Sequence, residues 1–348
     1  MSATHDGSQI VNLRTTGSKV LKRDFSTVCL AHVGAKFTGV VSGLYASPKE
    51  VTDDTTNLNA ACIAAAQHFF NPDSHPSQLM IAEAIYESTG GELATSLTAA
   101  FAEHPFYAFA IGSRADDDLV AADAWALANK CLFLGQSSDA GILAGTGICD
   151  TLKGTASGRS AIQYRATDTE FGDLTWASEM MSLSPDVGSA SWRFQRTTGL
   201  AAVDITAAQA ALAQADYCNL CLPFGGVAVM GDGVLTDGHP IDTLVSKDWA
   251  AARAKEGMIQ RQLDMAKLKQ KIPYTDEGIA MLGSDLATVL KKGVAVGHFE
   301  PGTIKLTLPK KAEIAAADIA ARKATLSGSV KILNSIEEVT VELSVLFA

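Results

Sequence analysis

Long apolar runs are missing from this chain. No stretch approaches the 18 or so residues that a membrane-crossing helix requires, so insertion into a bilayer is not expected. A surplus of basic residues is missing as well. Lys and Arg together number 28 against 38 Asp and Glu, for a formal net charge of −10, which removes the whole-protein footprint of a nucleic-acid binder. Cysteine is sparse, with six in 348 residues, and scattered spacing of that kind does not build a secreted disulfide scaffold. Charged residues make up 19% and aromatics 7%, yet hydrophobic residues reach 47%. That balance is too apolar for disorder and rich enough to fill a large core. Length gives a prior of roughly two domains. The polar start, residues 1–9, has no apolar signal core. The composition points to a soluble acidic protein made in a reducing cytoplasm.

The familiar signatures of catalysis are also scarce. There is no GxxxxGK[ST], no HExxH and no GxSxG. Gly145-Thr146-Gly147 opens like a dinucleotide loop, but Asp150 stands where the third glycine belongs, so an ordinary loop is the better reading. Cys218 and Cys221 form a single CxxC in a strand-like run. A structural zinc site usually needs a second pair, and positions i and i+3 of a strand face opposite ways. Buried thiols are expected there. Asp116, Asp117 and Asp118 suit a solvated helix N-terminus. Asp232, Asp237 and Asp242 surround two glycines without the spacing of a calcium loop. No catalytic residue, metal ligand or cofactor is assigned.

What the chain does contain is alternation of strand and helix. Residues 25–33 (FSTVCLAHV) read as a buried strand. Leu58, Ala61, Cys62, Ala65, Ala66 and Phe69 mark an amphipathic helix. Strands are expected over 78–84, 107–111 and 131–134, with helices over 92–103 and 116–130. This predicts an α/β fold in which a layered mixed sheet is flanked by helices. The middle is expected to be loop-rich, with a loop over 145–158, a helix over 174–183 and a loop over 185–191. Short strands follow over 217–222 and 227–230, with Asp232-Gly233 as a hairpin signal. A charged helix over 248–270 should bury Trp249, Ala252, Ile259, Leu263 and Ala266. The next helix is capped by Thr275 and stopped at Gly293, with Lys291 and Lys292 in its last turn. A strand over 303–308 completes a smaller α+β C-terminal domain.

The two ends are distinctive. Ile10, Val11 and Leu13 form a small apolar cluster in an otherwise detached start. At the other end Val339, Val341, Leu343, Val345 and Phe347 share one face, while Glu338, Thr340, Glu342 and Ser344 share the other. A final strand with no following hairpin has open edges, which are normally paired or protected. It pairs either within its own sheet or with a neighbouring subunit by strand addition.

An ordered series of segments resembles one family. It begins with Arg23-Asp24-Phe25, Tyr45-Ala46-Ser47-Pro48-Lys49-Glu50-Val51, residues 64–70 and Pro76-Ser77-Gln78-Leu79. It continues through Trp192-Arg193-Phe194, Thr198-Gly199-Leu200, Gly231-Asp232-Gly233, Asp237-Gly238, Asp242 and Asp248-Trp249. The most specific stretch is Lys271-Ile272-Pro273-Tyr274-Thr275-Asp276-Glu277-Gly278-Ile279, followed by Gly297-His298-Phe299-Glu300-Pro301-Gly302. Together these resemble the contractile tail sheath proteins of bacteriophages across nearly the whole chain. Residues 333–337 (LNSIE) depart from the small and glycine residues expected before the last strand, which leaves the start of that strand open.

The resemblance implies an extended N-terminal arm over 1–24, an outer α/β part over 25–270, an inner domain over 271–335 and a C-terminal arm strand over 336–348. It implies a structural subunit with no enzymatic role. Such subunits polymerise as stacked sixfold rings around a tail tube protein, linked by strand exchange. They meet a baseplate and a tail terminator, and contract to drive the tube through the host envelope. The particle would be assembled in the host cytoplasm and reside in the virion tail. On this reading Val11, Leu13, Val339, Val341, Leu343 and Val345 carry the subunit links, and Lys291 and Lys292 face the tube. Two alternatives stand beside it: a non-contractile ring or tube component of a virion, and an α/β enzyme using the loop at Gly145 and Gly147 or the Cys218/Cys221 pair. Six thiols on a released particle would also permit disulfides between subunits.

Overall fold

The computed structural model describes residues 23–335. The elements of the first half are β1 (Val28–His32), β2 (Ser42–Tyr45), α1 (Pro48–Asp53), α2 (Ala60–Gln67), β3 (Leu79–Glu83), α3 (Leu93–Glu103), β4 (Ala108–Ile111), α4 (Asp116–Asn129), β5 (Leu132–Ser137), α5 (Ile148–Thr155) and β6 (Ser160–Tyr164). The six strands form one sheet in the order β2-β3-β1-β4-β5-β6. All neighbours are parallel except β2, which runs antiparallel along β3. β1 and β4 are buried at every position, as parallel strands covered on both faces must be. Alternate residues divide between two cores. Leu30, Ile81, Ala110 and Leu134 face α2 and the later helices. Ala31, Met80, Phe109 and Phe133 face α3, α4 and α5.

The second half contributes α6 (Gly172–Met181), α7 (Ala207–Ala215), the hairpin β7 (Cys221–Phe224) and β8 (Val227–Met230), the long α8 (Ile241–Lys267), α9 (Asp276–Ala295), β9 (Lys305–Thr307), the short α10 (Ala316–Ala320) and β10 (Ser327–Ser329). The mixed sheet with flanking helices and a smaller α+β part is the architecture that the residue pattern predicts. One buried cluster fixes α8 on the sheet. Arg159, at the start of β6, gives Nη1 and Nη2 to the two carboxylate oxygens of Asp248 at 2.5 and 3.0 Å. The Tyr107 hydroxyl, beside β4, donates to the same carboxylate at 3.0 Å.

Several local expectations are corrected. The stretch 145–158 is not all loop, because Ile148, Cys149 and Leu152 turn inward and form α5. β6 and α7 lie where no element is expected from the sequence. β6 mixes buried Ser160 and Gln163 into its run, which hides the apolar pattern of a strand. The hairpin turn is Gly225-Gly226, whose φ angles of 57° and 82° suit a two-residue turn matched to strand twist. Asp232-Gly233 instead leads into α8. That helix starts seven residues before the expected position, and its far end emerges from the core, leaving Leu263 54% exposed and Ala266 exposed. Thr275 does cap α9, its side chain accepting from the Gly278 N–H. Gly293, however, lies inside α9. A Cβ there would sit 2.4 Å from the Phe299 ring, so this glycine serves close packing, and the left-handed residue after the helix is Gly297.

Candidate assembly surface

Open α/β sheets bind ligands where strand order reverses, beyond the carboxyl ends of the strands. Here that point lies between β1 and β4, and the chain's own side chains fill it. The Tyr86 hydroxyl donates to the Ala31 carbonyl at 2.9 Å and accepts from the Gly112 N–H at 3.0 Å, bridging the two strand ends. Arg114 makes a two-pronged pair with buried Asp173 at 2.7 and 3.2 Å and covers the Phe171 ring at 4.7 Å. Asp118 accepts from the Ser88 N–H and from the hydroxyls of Ser88 and Ser113. His32 closes the crevice, and a Cβ on Gly112 would lie 2.2 Å from its ring.

This plug makes an acid-sensitive element. His32 Nδ1 accepts from the Gly34 N–H at 2.8 Å. Burial, with a smaller contribution from the Arg114 charge, lowers the pKa from 6.5 to about 4. The unfolded chain therefore takes up a proton that the folded chain refuses between pH 6.5 and 4. Stability from this group is complete above pH 6.5 and falls as pH drops toward 4, by roughly 3 kcal/mol. Denaturant midpoints measured from pH 7 to 4 should fall, and His32→Asn, which keeps an acceptor but cannot titrate, should flatten that part of the profile. An unchanged slope in the variant would refute the assignment.

The two sequence features that suggest chemistry are structural in their surroundings. Gly145 and Gly147 have φ of 73° and 92°. Their loop wraps Asp139, whose Oδ1 accepts from the Gly141 N–H at 2.9 Å and whose Oδ2 lies 2.5 Å from where a Gly147 Cβ would stand. A carboxylate so placed repels an incoming phosphate. Cys218 and Cys221 enter different cores, on opposite faces of the sheet. All six cysteines are buried and free. Burial raises the thiol of Cys221, and the neighbouring Cys218 and burial raise that of Cys149, which disfavours the reactive thiolate. Burial also withholds all six from disulfides between subunits in this form. Among the described residues, no group of three or more His, Cys, Asp or Glu could hold a metal ion, and no helix is long and apolar enough to cross a membrane.

The more developed polar construction lies where the chain's first described residue meets α8 and α9. Asp186 accepts from Trp249 Nε1, from Arg253 Nε and Nη2, all at 2.8 Å, and from Lys292 Nζ at 3.3 Å. Arg253 also pairs with Glu256 at 2.7 Å. Glu256 in turn accepts from the Arg23 backbone N–H at 2.7 Å, and the Arg23 carbonyl accepts from Arg253 at 3.2 Å. The point from which residues 1–22 depart is thus clamped to α8. α9 packs antiparallel on α8, with Trp249 beside Gly293 and Arg261 held by Asp285 at 2.6 and 2.8 Å. The His298 ring stacks on Trp249 at 4.7 Å, with its nitrogens 2.7 Å from the Ser246 hydroxyl and the Pro185 carbonyl.

Beyond α9 the chain forms a narrow antiparallel ribbon. β9 pairs with β10 in the register Lys305↔Ser329, Leu306↔Gly328 and Thr307↔Ser327, and a further bridge joins Phe299 to Ile332. Ile304, Leu306, Val330 and Ile332, like Leu286 and Val289 of α9, pack against the first core but stay only partly buried. Lys305, Thr307, Ser327, Ser329 and Lys331 are exposed. Two strands are too few for an independent sheet, and among the described residues no third strand joins either edge. The ribbon's neighbourhood is basic: residues 271–335 hold nine Lys and Arg against six Asp and Glu, in a chain of net charge −10.

Of the site residues expected from sequence, Val11, Leu13, Val339, Val341, Leu343 and Val345 lie outside the described residues. Lys292 lies against Asp186 with its ammonium 5.8 Å from the Trp249 ring centre. Lys291 is exposed. Sequence reasoning does not reveal the Asp186 hub, since its partners come from positions 63 to 106 residues away. The only local hint is the Arg253-x-x-Glu256 spacing on a helix.

No family model and no curated protein matches this chain. Solved structures do. The chain is similar to a component of the anti-feeding prophage baseplate, determined with sixfold symmetry, at a TM-score of 0.65, with 13% identity over 97% of this chain and 99% of that one. It is similar to the helical sheath of the anti-feeding prophage in its contracted state, also at 0.65, with 11% identity over 99% of both chains. A sheath tail protein from Listeria innocua matches at 0.58, with 7% identity over 90% of this chain and 96% of that one. The fold is therefore that of the contractile sheath proteins, along essentially the whole chain.

Proposed function

We propose that this chain is the structural subunit of a contractile tail sheath, and that it has no catalytic role. The observation that carries the proposal is the end-to-end likeness to a contracted helical sheath, which leaves no segment of this chain over for a separate catalytic domain. The plugged switch point and the buried thiols agree with a body built for packing. In this reading residues 25–270 form the outer part of each subunit and 271–335 the inner part. The segments 1–24 and 336–348 are arms that add strands to neighbouring subunits, with Val11, Leu13, Val339, Val341, Leu343 and Val345 setting the register. The open ribbon of β9 and β10 is the natural receptor, because strand addition supplies the neighbours that a two-stranded sheet lacks. The clamp on Arg23 gives the N-terminal arm a fixed point of departure, so pull on the arm is passed to α8.

Subunits assemble as sixfold rings, stacked helically between a baseplate and a tail terminator in the virion tail. Assembly takes place in the host cytoplasm. Contraction is a relaxation from one set of subunit contacts to another, needs no cofactor, and drives the tube through the host envelope. Lys291 is the better tube-facing residue of the two lysines, since Lys292 is engaged with Asp186. Deleting 336–348 tests the central link. The truncated chain should sediment as soluble monomer at concentrations where the full chain forms large particles. Long tubes from the truncated chain would refute the strand-exchange reading.

A further inference from the structure

α8 carries one apolar stripe that is covered along only part of its length. Val245, Ala252, Ile259 and Ala266 recur at every seventh position, and Leu263 lies one turn from both Ile259 and Ala266. These residues therefore share one side of the helix. Val245 is buried in the first core and Ala252 packs against it. Past that point α8 leaves the core. Ile259 is half-buried, Ala266 is exposed and Leu263 is 54% exposed. α9 packs on the other side of the helix. Its Asp285 holds Arg261, and its Val289 lies 3.8 Å from where a Gly257 Cβ would stand. Those positions are roughly half a turn away from the stripe.

The chain itself is aimed at this bare stretch. The Arg23 carbonyl accepts from Arg253 at 3.2 Å, and the Arg23 N–H donates to Glu256 at 2.7 Å. The backbone that leads back to residue 22 is thus directed along α8, from Arg253 past Glu256 toward Ile259. The residues next in that direction include the apolar pair Val20 and Leu21, between Lys19 and Lys22. Glu256 to Leu263 is about 10 Å of helix. Three extended residues also span about 10 Å, which brings Val20 level with Leu263.

We propose that Val20 and Leu21 of the same chain cover Ile259, Leu263 and Ala266. This seat belongs to the root of the N-terminal segment alone, and holds whether or not Val11 and Leu13 reach a neighbouring subunit. Its consequence is directional. The segment leaves the subunit at the far end of α8, and a pull on it is spread along that helix before it reaches the Arg23 clamp.

A double-mutant cycle in the full-length chain, read by urea unfolding below the assembly concentration, tests the seat. L263Q keeps helix propensity and removes the apolar contact. V20S/L21S removes its partner. Each should lower the folding equilibrium constant about fivefold, the worth of covering about half a leucine. The triple variant should lose about fivefold as well, because the contact can be lost only once. Losses that multiply to about twenty-fivefold, or no loss from V20S/L21S, would overturn the proposal. So would coupling that appears only above the assembly concentration, the mark of a second copy's segment on the stripe. A direct check uses V20C/L263C and L21C/L263C, since the six native thiols are buried. Mild oxidation of the monomer should link at least one of these pairs within the chain. Links formed only between chains would overturn the proposal.

Discussion

Replacing Asp248 with alanine should cost about 3–5 kcal/mol of folding stability. The side chains of Arg159 and Asp248 are 8% and 2% exposed, so the pair is screened from water. Asp248 satisfies both terminal nitrogens of Arg159 and the Tyr107 hydroxyl together. Alanine leaves a guanidinium charge and a hydroxyl buried without that partner, and the desolvation cost of the charge dominates. Asp248→Asn keeps acceptor geometry without the charge and should lie between alanine and the native residue. Replacing both members, as Arg159→Met with Asp248→Leu, should recover much of the loss, because no buried charge remains. Urea unfolding below the assembly concentration reads all three. A cost for Asp248→Ala within 1 kcal/mol would mean that water reaches the pair.

The second large effect belongs to Trp249. Its ring is fully buried and stacks on His298, lies near Phe299, and receives the Lys292 ammonium over its face. Its Nε1 supports the Asp186 hub. Trp249→Ala should cost about 3–5 kcal/mol from lost burial and the cavity left behind. The damage should be uneven. Hydrogen exchange should quicken most in α9 and in the β9–β10 ribbon, while the six-stranded sheet keeps most of its protection, since its opposite face packs on a second core that Trp249 does not enter. Equal loss of protection across the sheet and the ribbon would show that Trp249 does not hold the C-terminal part in place.

The sequence was most legible where one physical signal dominated. Continuous apolar runs revealed β1, β3, β4 and β5, because parallel strands with two covered faces leave little room for polar residues. Thr275, Asp276 and Glu277 revealed the start of α9 through capping and dipole chemistry. Legibility failed where signals competed. Gly154 and the threonines around α5 read as loop, although Ile148, Cys149 and Leu152 bury one side of it. α7 does carry a local start signal, the Thr206–Gln209 capping box. Gly293 carried the chemistry of a helix end, and the Phe299 and Trp249 rings packed against it explain its place inside α9. The pairing of β9 with β10 could not be read from the two segments separately. Ser327-Gly328-Ser329 has no strand pattern of its own, and takes one only from pairing with Lys305, Leu306 and Thr307.

Electron microscopy of the purified full-length protein tests the sheath assignment most directly. Hollow tubes of uniform width, built from sixfold rings in helical register, are the expected images. Dispersed single subunits at every concentration tried, under conditions where the chain is folded, would contradict the assignment of this protein as a self-assembling sheath subunit.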